Sequence, residues 1–478
     1  MTSCNLGEST IILINIIKKK KHFLIFLPAI IAFFIALIPT LKFHAPLSWD
    51  VYFHVHMAKL YLEQGIIFWD PLTFSPFGRP IYYPPLFHLF IALLSDITSY
   101  DLLEITRFMQ PFLAFSVVLS FTYLAYKLYN LSVGFIAGFL LFLTLPFSRF
   151  MYPIPESLAM IFLPLAIYFY YYGLENNNYF YVLASGVLSG LNLLIHPSSA
   201  VLLVVILGFY TFTLKAVRRK VNSKHFLLYT ALTIIIASWW WFPLLLNYGY
   251  VYNFPTVIVS LFDYPRIFGI TLVFSPLGAY LLFKNKKNND ILIITWLIIL
   301  VVISQIYLLG ISVLSDRILY YAVLPLTIMA AYGLSYLDRA PYKNLFYMLT
   351  LFLIISIIIS ASFVASMSKP DVSSSQLEIA YYFQNQGDKH SVVISADYIL
   401  DSTIVSIARQ PVSRGGYGGS RLKELEINKY LSSNFTKSDL IHDNVGYLVL
   451  HSNQGTPPYS WLVYENKDYK VFKLEDKN

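Results

Sequence analysis

Long apolar segments that carry almost no charge dominate this chain and decide what it can fold into. Of its 478 residues, 57% are hydrophobic and 13% are charged, and the mean hydropathy is +0.61. The surface of a soluble protein of this size does not tolerate that composition, so a soluble enzyme is excluded. A bilayer core about 30 Å thick needs about 20 apolar residues per helix. By that measure we predict eleven membrane spans, at 23–41, 104–126, 133–148, 157–173, 179–195, 198–214, 226–246, 267–283, 291–309, 318–336 and 344–366.

The first predicted span follows a run of four lysines at 18–21, in a tail that also holds the single cysteine, Cys4. A basic run before an apolar stretch is also typical of a signal peptide. However, the stretch 23–41 is long enough to span a bilayer, and no convincing small-residue cleavage pattern follows it. We therefore expect an uncleaved anchor.

The density of charge changes at residue 369. Residues 369–478 carry 25 charged side chains in 110 positions, whereas residues 1–368 carry 35 in 368. This contrast predicts a cytoplasmic tail over 1–22, a transmembrane domain over 23–368 with a long first outer loop at 42–103, and a soluble extracytoplasmic domain over 369–478.

The soluble part has the pattern of an α/β domain. A helical period occupies 376–386, and strand-like runs occupy 391–395, 447–451 and 469–474. The predicted fold class is thus a polytopic α-helical membrane protein with a C-terminal soluble α/β domain.

Lysine and arginine are unevenly distributed over the predicted loops. With the N-terminus inside, the cytoplasmic segments hold 15 of them, and the outer side of the membrane part holds seven when Arg107, at the outer end of the span 104–126, is included. Because positive residues favour the cytoplasmic side, this predicts a cytoplasmic N-terminus and an extracytoplasmic C-terminal domain. The apolar stretch 84–94 is too short to span, so we expect a re-entrant or interfacial segment there. The net charge of +8 comes from the basic residues of the predicted cytoplasmic segments, which orient the protein in the membrane. It does not indicate a nucleic-acid partner.

The first outer loop opens with a candidate catalytic pair, Asp50 and His54. Four residues apart, they share one face if the segment is helical. An acid at this boundary is suited to act as a general base or as a metal ligand. The alternative is that Asp50 only caps the helix and that the histidines are interfacial polar groups.

Further ionisable residues collect on other outer loops. Glu156 stands where a span begins, close after Arg149, and His196 and Arg317 follow on two later loops. An arginine beside a membrane suits a phosphate, because its planar fork binds two oxygens; snorkelling or an ion pair with Asp316 explains Arg317 equally well. The helix dipole alone would also favour a carboxylate at Glu156. The shared face is the stronger argument: these loops can converge.

In order and placement, these features resemble the GT-C membrane glycosyltransferases, and among them the oligosaccharyltransferase catalytic subunits. The shared layout is one span, a long outer loop that opens with an acid, a re-entrant Tyr-Pro-Pro-Leu stretch, a second outer loop with an acid, a late arginine and an outer α/β domain. The resemblance implies that Asp50 activates the acceptor and, with Glu156 and tentatively His54, binds a divalent metal such as Mg or Mn. It also implies that Arg317, with Arg149 and His196, holds the donor phosphate.

The sequence departs from that family at two motifs. Leu158 occupies the place of the second acid in the second-loop motif. In the soluble domain, Asp397 and Tyr398 stand where the family has an acceptor-reading motif, but both of its tryptophans are missing. We keep these two residues as acceptor-side candidates, without implying recognition of a particular peptide sequence.

The leading functional hypothesis is a glycosyltransferase of the cell membrane. It would take a sugar or oligosaccharide from a polyprenyl-phosphate or pyrophosphate carrier and transfer it to a protein or glycan outside. One alternative is a transporter or flippase for a lipid-linked or small solute, against which the absence of Lys, Arg, Asp and Glu from span interiors argues. Another is a non-catalytic assembly protein, which the departure at Leu158 leaves open.

Overall fold

A computed structural model describes residues 22–249, 256–339, 341–416 and 424–475. The lysines at 18–21, Cys4 and nearly all of the predicted tail at 1–22 lie outside the described residues.

Helices make up the apolar part of the chain. Within the described residues they are α1 (Leu27–Lys42), α2 (Asp50–Gln64), α3 (Leu86–Thr98), α4 (Leu102–Leu128), α5 (Leu131–Leu140), α6 (Pro155–Glu175), α7 (Tyr179–Ile195), α8 (Pro197–Ala216), α9 (Ser223–Tyr248), α10 (Tyr264–Phe268), α11 (Thr271–Asn285), α12 (Asn288–Ser304), α13 (Ser315–Tyr336) and α14 (Lys343–Met367). Short 3₁₀ segments precede α1 and α10 and follow α5 and α12.

The predicted spans coincide with these helices. Across the described ranges, seven helices are long and apolar enough to cross a membrane, and two further helix pairs bend by 93° and 95° at a short break. The two remaining predicted spans, 179–195 and 291–309, coincide with α7 and α12, each 17 residues long. The chain is therefore a multi-pass membrane protein, while the count of eleven spans stays a prediction. The stretch 84–94 falls on α3, a helix of 13 residues.

Local sequence signals fix several helix boundaries. The side chains of Asp101, Asn178 and Asn222 each accept a hydrogen bond from a first-turn amide, at the starts of α4, α7 and α9. Such caps satisfy amides that have no partner inside the helix. Proline begins α6 and α8, where its missing N–H costs nothing.

The soluble domain has one mixed sheet. Its strands β3 (Val392–Ser395), β4 (Val445–His451), β5 (Ser460–Glu465) and β6 (Tyr469–Leu474) lie in the order β3-β4-β6-β5, with β3 and β4 parallel and the other pairs antiparallel. The helices here are α15 (Ser374–Gln386), α16 (Tyr398–Ala408), α17 (Glu424–Leu431) and α18 (Lys437–Asp443). The predicted fold class is confirmed, and three of the four strands match predicted runs.

The first outer loop packs into the soluble domain. It contains the short pair β1 (Trp69–Asp70) and β2 (Arg79–Pro80), and the segment between them exchanges backbone hydrogen bonds with the chain that follows α16. Ser75 N donates to Val412 O at 3.0 Å, and Val412 N donates to Leu72 O at 2.8 Å. The ring of Tyr52, on α2, lies in the same apolar core as residues of the sheet. The loop and the domain are therefore one packed unit.

Polar contacts at the two ends of the helical part separate the predicted outer loops from the predicted cytoplasmic ones. At one end, Tyr129 donates to Asp290 at 3.0 Å and Arg219 donates to the carbonyl of Lys286 at 2.9 Å. At the other end lie Glu156 and Arg317, which contact each other. This separation agrees with the predicted grouping of the loops, and the choice of which end faces the cytoplasm stays a prediction.

Candidate active site

A shared carboxylate organises the predicted outer end of the helical part. Glu156 is the second residue of α6, and Arg149 lies seven residues earlier in the 3₁₀ segment Leu145–Met151, beyond the 93° bend. Arg149 donates to Glu156 Oε2 through Nη2 at 2.6 Å and through Nε at 3.2 Å. Arg317, at the start of α13, donates to the same oxygen at 3.3 Å, and its Nε lies 3.8 Å from Asp316 Oδ2. One carboxylate thus holds two arginines side by side.

A small cavity that opens to solvent adjoins this cluster. Arg149, Glu156, Tyr320 and Tyr321 contribute to its wall. The guanidinium of Arg149 also lies 5.9 Å from the ring centroid of Tyr320 and 6.0 Å from that of Tyr152. The arginine is therefore held in place by a carboxylate and by aromatic faces.

His196 joins the cluster from the start of α8. Its Nδ1 accepts from the amide of Ser199 at 3.4 Å and lies 3.4 Å from the hydroxyl of Tyr321. Tyr321 lines the cavity with Glu156. The structure therefore brings Arg149, Glu156, His196 and Arg317 together from three loops.

Asp50 lies next to this cluster and is the first residue of α2. Its side chain is buried, with 8% of the residue exposed. Tyr152 is within electrostatic range of both Asp50 and Arg149. Trp49, and not Asp50, occupies the N-cap position of α2 and gives no side-chain cap. Asp50 therefore does not occupy the N-cap position that the capping interpretation gives it.

His54 follows Asp50 by one turn of α2, as predicted. Its ring is 1% exposed and its Nδ1 lies 2.9 Å from His88 Nε2, with the two rings stacked at 5.2 Å. Burial, and then the nearby positive form of His88, keep the pKa of His54 well below its usual range. His54 is thus neutral at physiological pH.

The predicted metal set Asp50, Glu156 and His54 is not assembled. The described residues contain no group of three or more His, Cys, Asp or Glu side chains placed to hold a metal ion. The reason is visible in the contacts, because two arginines occupy the Glu156 carboxylate and His88 engages His54. These side chains do not fit a metal site held by the protein alone.

The two acceptor-side candidates have different surroundings. Asp397 caps α16 and accepts from Gln376 at 2.6 Å and from Tyr469 at 3.0 Å, so its oxygens serve the soluble domain. Tyr398 contacts Trp49 edge-on at 5.5 Å and is close enough to feel the charge of Asp50. Of the pair, Tyr398 is the one that lies beside Asp50.

Sequence reasoning did not single out Arg266, which it counted only among the basic residues of the predicted outer loops. Arg266 lies in α10, just before the 95° bend into α11, and its side chain is exposed. Its charge acts on Tyr320 in the cavity wall. Its position next to a bend at the outer end of a span was the available signal.

A known protein family matches part of the chain. The family model described as dolichyl-phosphate-mannose-protein mannosyltransferase matches residues 82–241, a third of the chain. A search among curated protein sequences finds no match.

Solved structures share the fold at low identity. The oligosaccharyltransferase of Archaeoglobus fulgidus, in complex with zinc and sulfate, has a TM-score of 0.72 and 12% identity, covering 90% of this chain and 68% of that one. The mycobacterial arabinofuranosyltransferase AftD has a TM-score of 0.62 and 14% identity, and the match covers 95% of this chain and 40% of the AftD chain. ArnT from Cupriavidus metallidurans has a TM-score of 0.59 and 12% identity, and the match covers 89% of this chain and 93% of the ArnT chain.

A multi-pass helical part with its ionisable cluster at one end, joined to a small α/β domain, is the architecture that this chain shares with these solved structures. The chain therefore has the fold of the GT-C glycosyltransferases, and the match of a third of its length to the mannosyltransferase family model agrees with the resemblance inferred from the sequence.

Proposed function

We propose that the protein transfers a sugar or oligosaccharide from a polyprenyl-phosphate or polyprenyl-pyrophosphate carrier to an acceptor on the extracytoplasmic side. The observation that carries this proposal is the pair of arginines held on Glu156 at a cavity beside Asp50. A lipid-linked donor also accounts for the many spans, because the isoprenoid chain can stay among the helices while its headgroup reaches the cavity.

The arginines serve the phosphate. Arg149 is committed to Glu156 through two nitrogens, whereas Arg317 bonds the same oxygen more loosely and is 36% exposed. Arg317 can therefore turn a donor N–H towards a phosphate oxygen while Glu156 limits its movement. Arg266 forms no salt bridge with any of the described residues, and its side chain is exposed. It is therefore available, together with Arg317, to bind the same headgroup.

Asp50 serves the acceptor. It takes the proton of the acceptor hydroxyl or amide as that group attacks the anomeric carbon of the donor sugar. The bond between the anomeric carbon and the phosphate oxygen breaks, and the lipid phosphate leaves with the electron pair. Arg317 and Arg149 stabilise the charge that develops on this leaving group. His196 holds Tyr321 at the cavity wall.

Relatives by fold support this choice of donor and acceptor. The archaeal oligosaccharyltransferase AglB has been solved in complex with an inhibitory peptide and a dolichol-phosphate. The matched family is described as acting from dolichyl-phosphate-mannose. A divalent cation such as Mg or Mn belongs to the proposal only as a partner of the donor phosphate.

Transfer by the purified, reconstituted protein is the direct test. Proteoliposomes are given a lipid-linked sugar with a radiolabel and an extract of candidate acceptors, and labelled product is measured. We expect product with the wild type, loss of at least a hundredfold with Asp50→Asn, and full activity with Asp96→Asn, a matched change at an exposed aspartate on α3. Product formation by Asp50→Asn at the wild-type rate would refute the assignment, and translocation of the lipid without product would favour the flippase.

A further inference from the structure

The linker between the last helix and the soluble domain reaches the helix that carries Asp50. Asp371 lies in this linker, between the end of α14 and the start of α15. Its backbone N–H donates to the carbonyl of Leu47 at 3.0 Å. Its carboxylate Oδ2 accepts from the backbone N–H of Trp49 at 3.2 Å. Two hydrogen bonds therefore join the linker to the residues just before Asp50, across 322 positions of sequence.

The second of these bonds falls on a group that the helix itself cannot satisfy. The first four amides of an α-helix lack partners inside it, and a side chain usually caps them. Trp49 occupies the N-cap of α2, and its own side chain makes no capping bond. The Asp371 carboxylate takes that place from another part of the chain, and its negative charge faces the positive end of the helix dipole.

The position of this cap is what makes it relevant to the reaction. Asp50 is the first residue of the capped helix, so the orientation of its side chain follows the geometry of this turn. The same surroundings contain Tyr152, which feels the charges of Asp371, Arg149 and Asp50. The linker carboxylate therefore contacts the residue just before the base and lies within electrostatic range of the same tyrosine as Arg149.

We infer that Asp371 is a positioning residue for glycosyl transfer, which caps the Asp50 helix from the linker and thereby couples the soluble domain to the catalytic base. This inference rests on the proposed function. In the second-loop motif of the oligosaccharyltransferases, the second acid is replaced by Leu158 in this chain. Asp371 supplies an acid near the proposed site from a different element.

Two substitutions separate the capping bond from the negative charge. Asp371→Asn keeps a side-chain oxygen that can accept from Trp49, whereas Asp371→Ala removes the acceptor. We expect the alanine variant to lose roughly 10- to 100-fold in kcat with a donor KM within about twofold of the wild type, because a base turned away from the acceptor slows chemistry without weakening donor binding. The asparagine variant should recover most of kcat.

The matched control is Asp101→Ala, which removes an ordinary cap from α4, where Asp101 Oδ1 accepts from Leu103 N at 2.8 Å. It should lose similar helix stability without a change in kcat. If Asp371→Ala has the same kcat as this control, or if Asp371→Asn fails to recover it, the inference is wrong.

Hydrogen exchange keeps the inference testable without any activity. Amides at the start of α2 should exchange several-fold faster in Asp371→Ala than in the wild type, and at the wild-type rate in Asp371→Asn and Asp101→Ala. Unchanged exchange in Asp371→Ala would overturn the capping role even if transfer is observed. Faster exchange together with no transfer by the wild type would instead refute the proposed function alone.

Discussion

The carboxylate of Glu156 receives two hydrogen bonds from the guanidinium of Arg149, at 2.6 and 3.2 Å, from a residue seven positions earlier in the chain. Both nitrogens donate to the same oxygen, Oε2, and these charge-assisted bonds hold the guanidinium close to the carboxylate. The same oxygen also accepts from Arg317. Glu156 therefore acts as the anchor of two cations, and this explains why a negative side chain lies where an anionic headgroup is expected.

Replacing Glu156 with glutamine should loosen both arginines. The amide keeps the shape but loses the charge that holds them, so we expect kcat/KM for the lipid-linked donor to fall roughly tenfold to a hundredfold. Glu104→Gln is the matched control, since Glu104 pairs with Arg107 on α4, away from the cavity. Initial rates in proteoliposomes measure both variants. Equal rates for Glu156→Gln and the wild type would contradict the anchoring role.

Arg266→Ala should weaken donor binding more than it slows chemistry. A charged hydrogen bond to phosphate contributes about 1.5–3 kcal/mol, so the donor KM is expected to rise roughly tenfold or more. The control is Arg218→Ala, an exposed arginine in the loop after α8, at the predicted cytoplasmic end. Steady-state kinetics with varied donor concentration separate KM from kcat. An unchanged donor KM in Arg266→Ala would remove this residue from the phosphate site.

Patterning along the sequence was enough to find the architecture and the loops that meet. Apolar runs located the helices, and the grouping of loops by charge placed Asp50, Glu156, His196 and Arg317 at one end. These signals are local, or add up over many residues, so they survive without knowledge of the fold. Strand β5 was not predicted, and its residues are mostly exposed or half-buried rather than alternating.

Pairing between distant residues could not be predicted in this way. Glu156 and Arg317 are 161 positions apart, and Asp371 and Trp49 are 322 apart. Whether His54 faces a metal or another histidine depends on α3 packing against α2, which brings His88 to it. Each of these outcomes follows from tertiary contacts, and nothing in the local sequence distinguishes them.

The orientation of the protein can be tested with its single cysteine removed. In a Cys4→Ser background, Ser432→Cys places a thiol on the exposed surface of the soluble domain, and Lys220→Cys places one in the loop after α8. A membrane-impermeant maleimide should label the first variant in intact cells and the second only after permeabilisation, because positive loops remain in the cytoplasm. The opposite pattern would invert the predicted topology.

Gly416→Ala should weaken the packing of the soluble domain against the first outer loop. A Cβ at this glycine would lie 2.2 Å from Cδ2 of Phe53, and the backbone φ of +77° also disfavours alanine. We expect a loss of about 2 kcal/mol or more, seen as a lower Tm in detergent. Gly455→Ala is the control, since a Cβ there meets nothing within 4 Å. Equal Tm values for the two variants would show that this contact does not hold the domains together.

The stability of the same interface should depend on pH through His56. Its Nε2 lies 3.0 Å from Asp70 and its Nδ1 2.8 Å from an Arg409 nitrogen, so Nδ1 accepts and the ring is neutral. Burial, only partly opposed by Asp70, lowers the pKa of His56 below 6.5. The unfolded chain then binds a proton that the folded chain does not, so stability is complete above about pH 6.5 and falls as the pH decreases from there. His56→Gln should reduce the decline in Tm between about pH 6.5 and 5. The control is His442→Gln, at an exposed ring, which should leave that decline unchanged. An identical decline in both variants would exclude His56 as the source of the pH dependence.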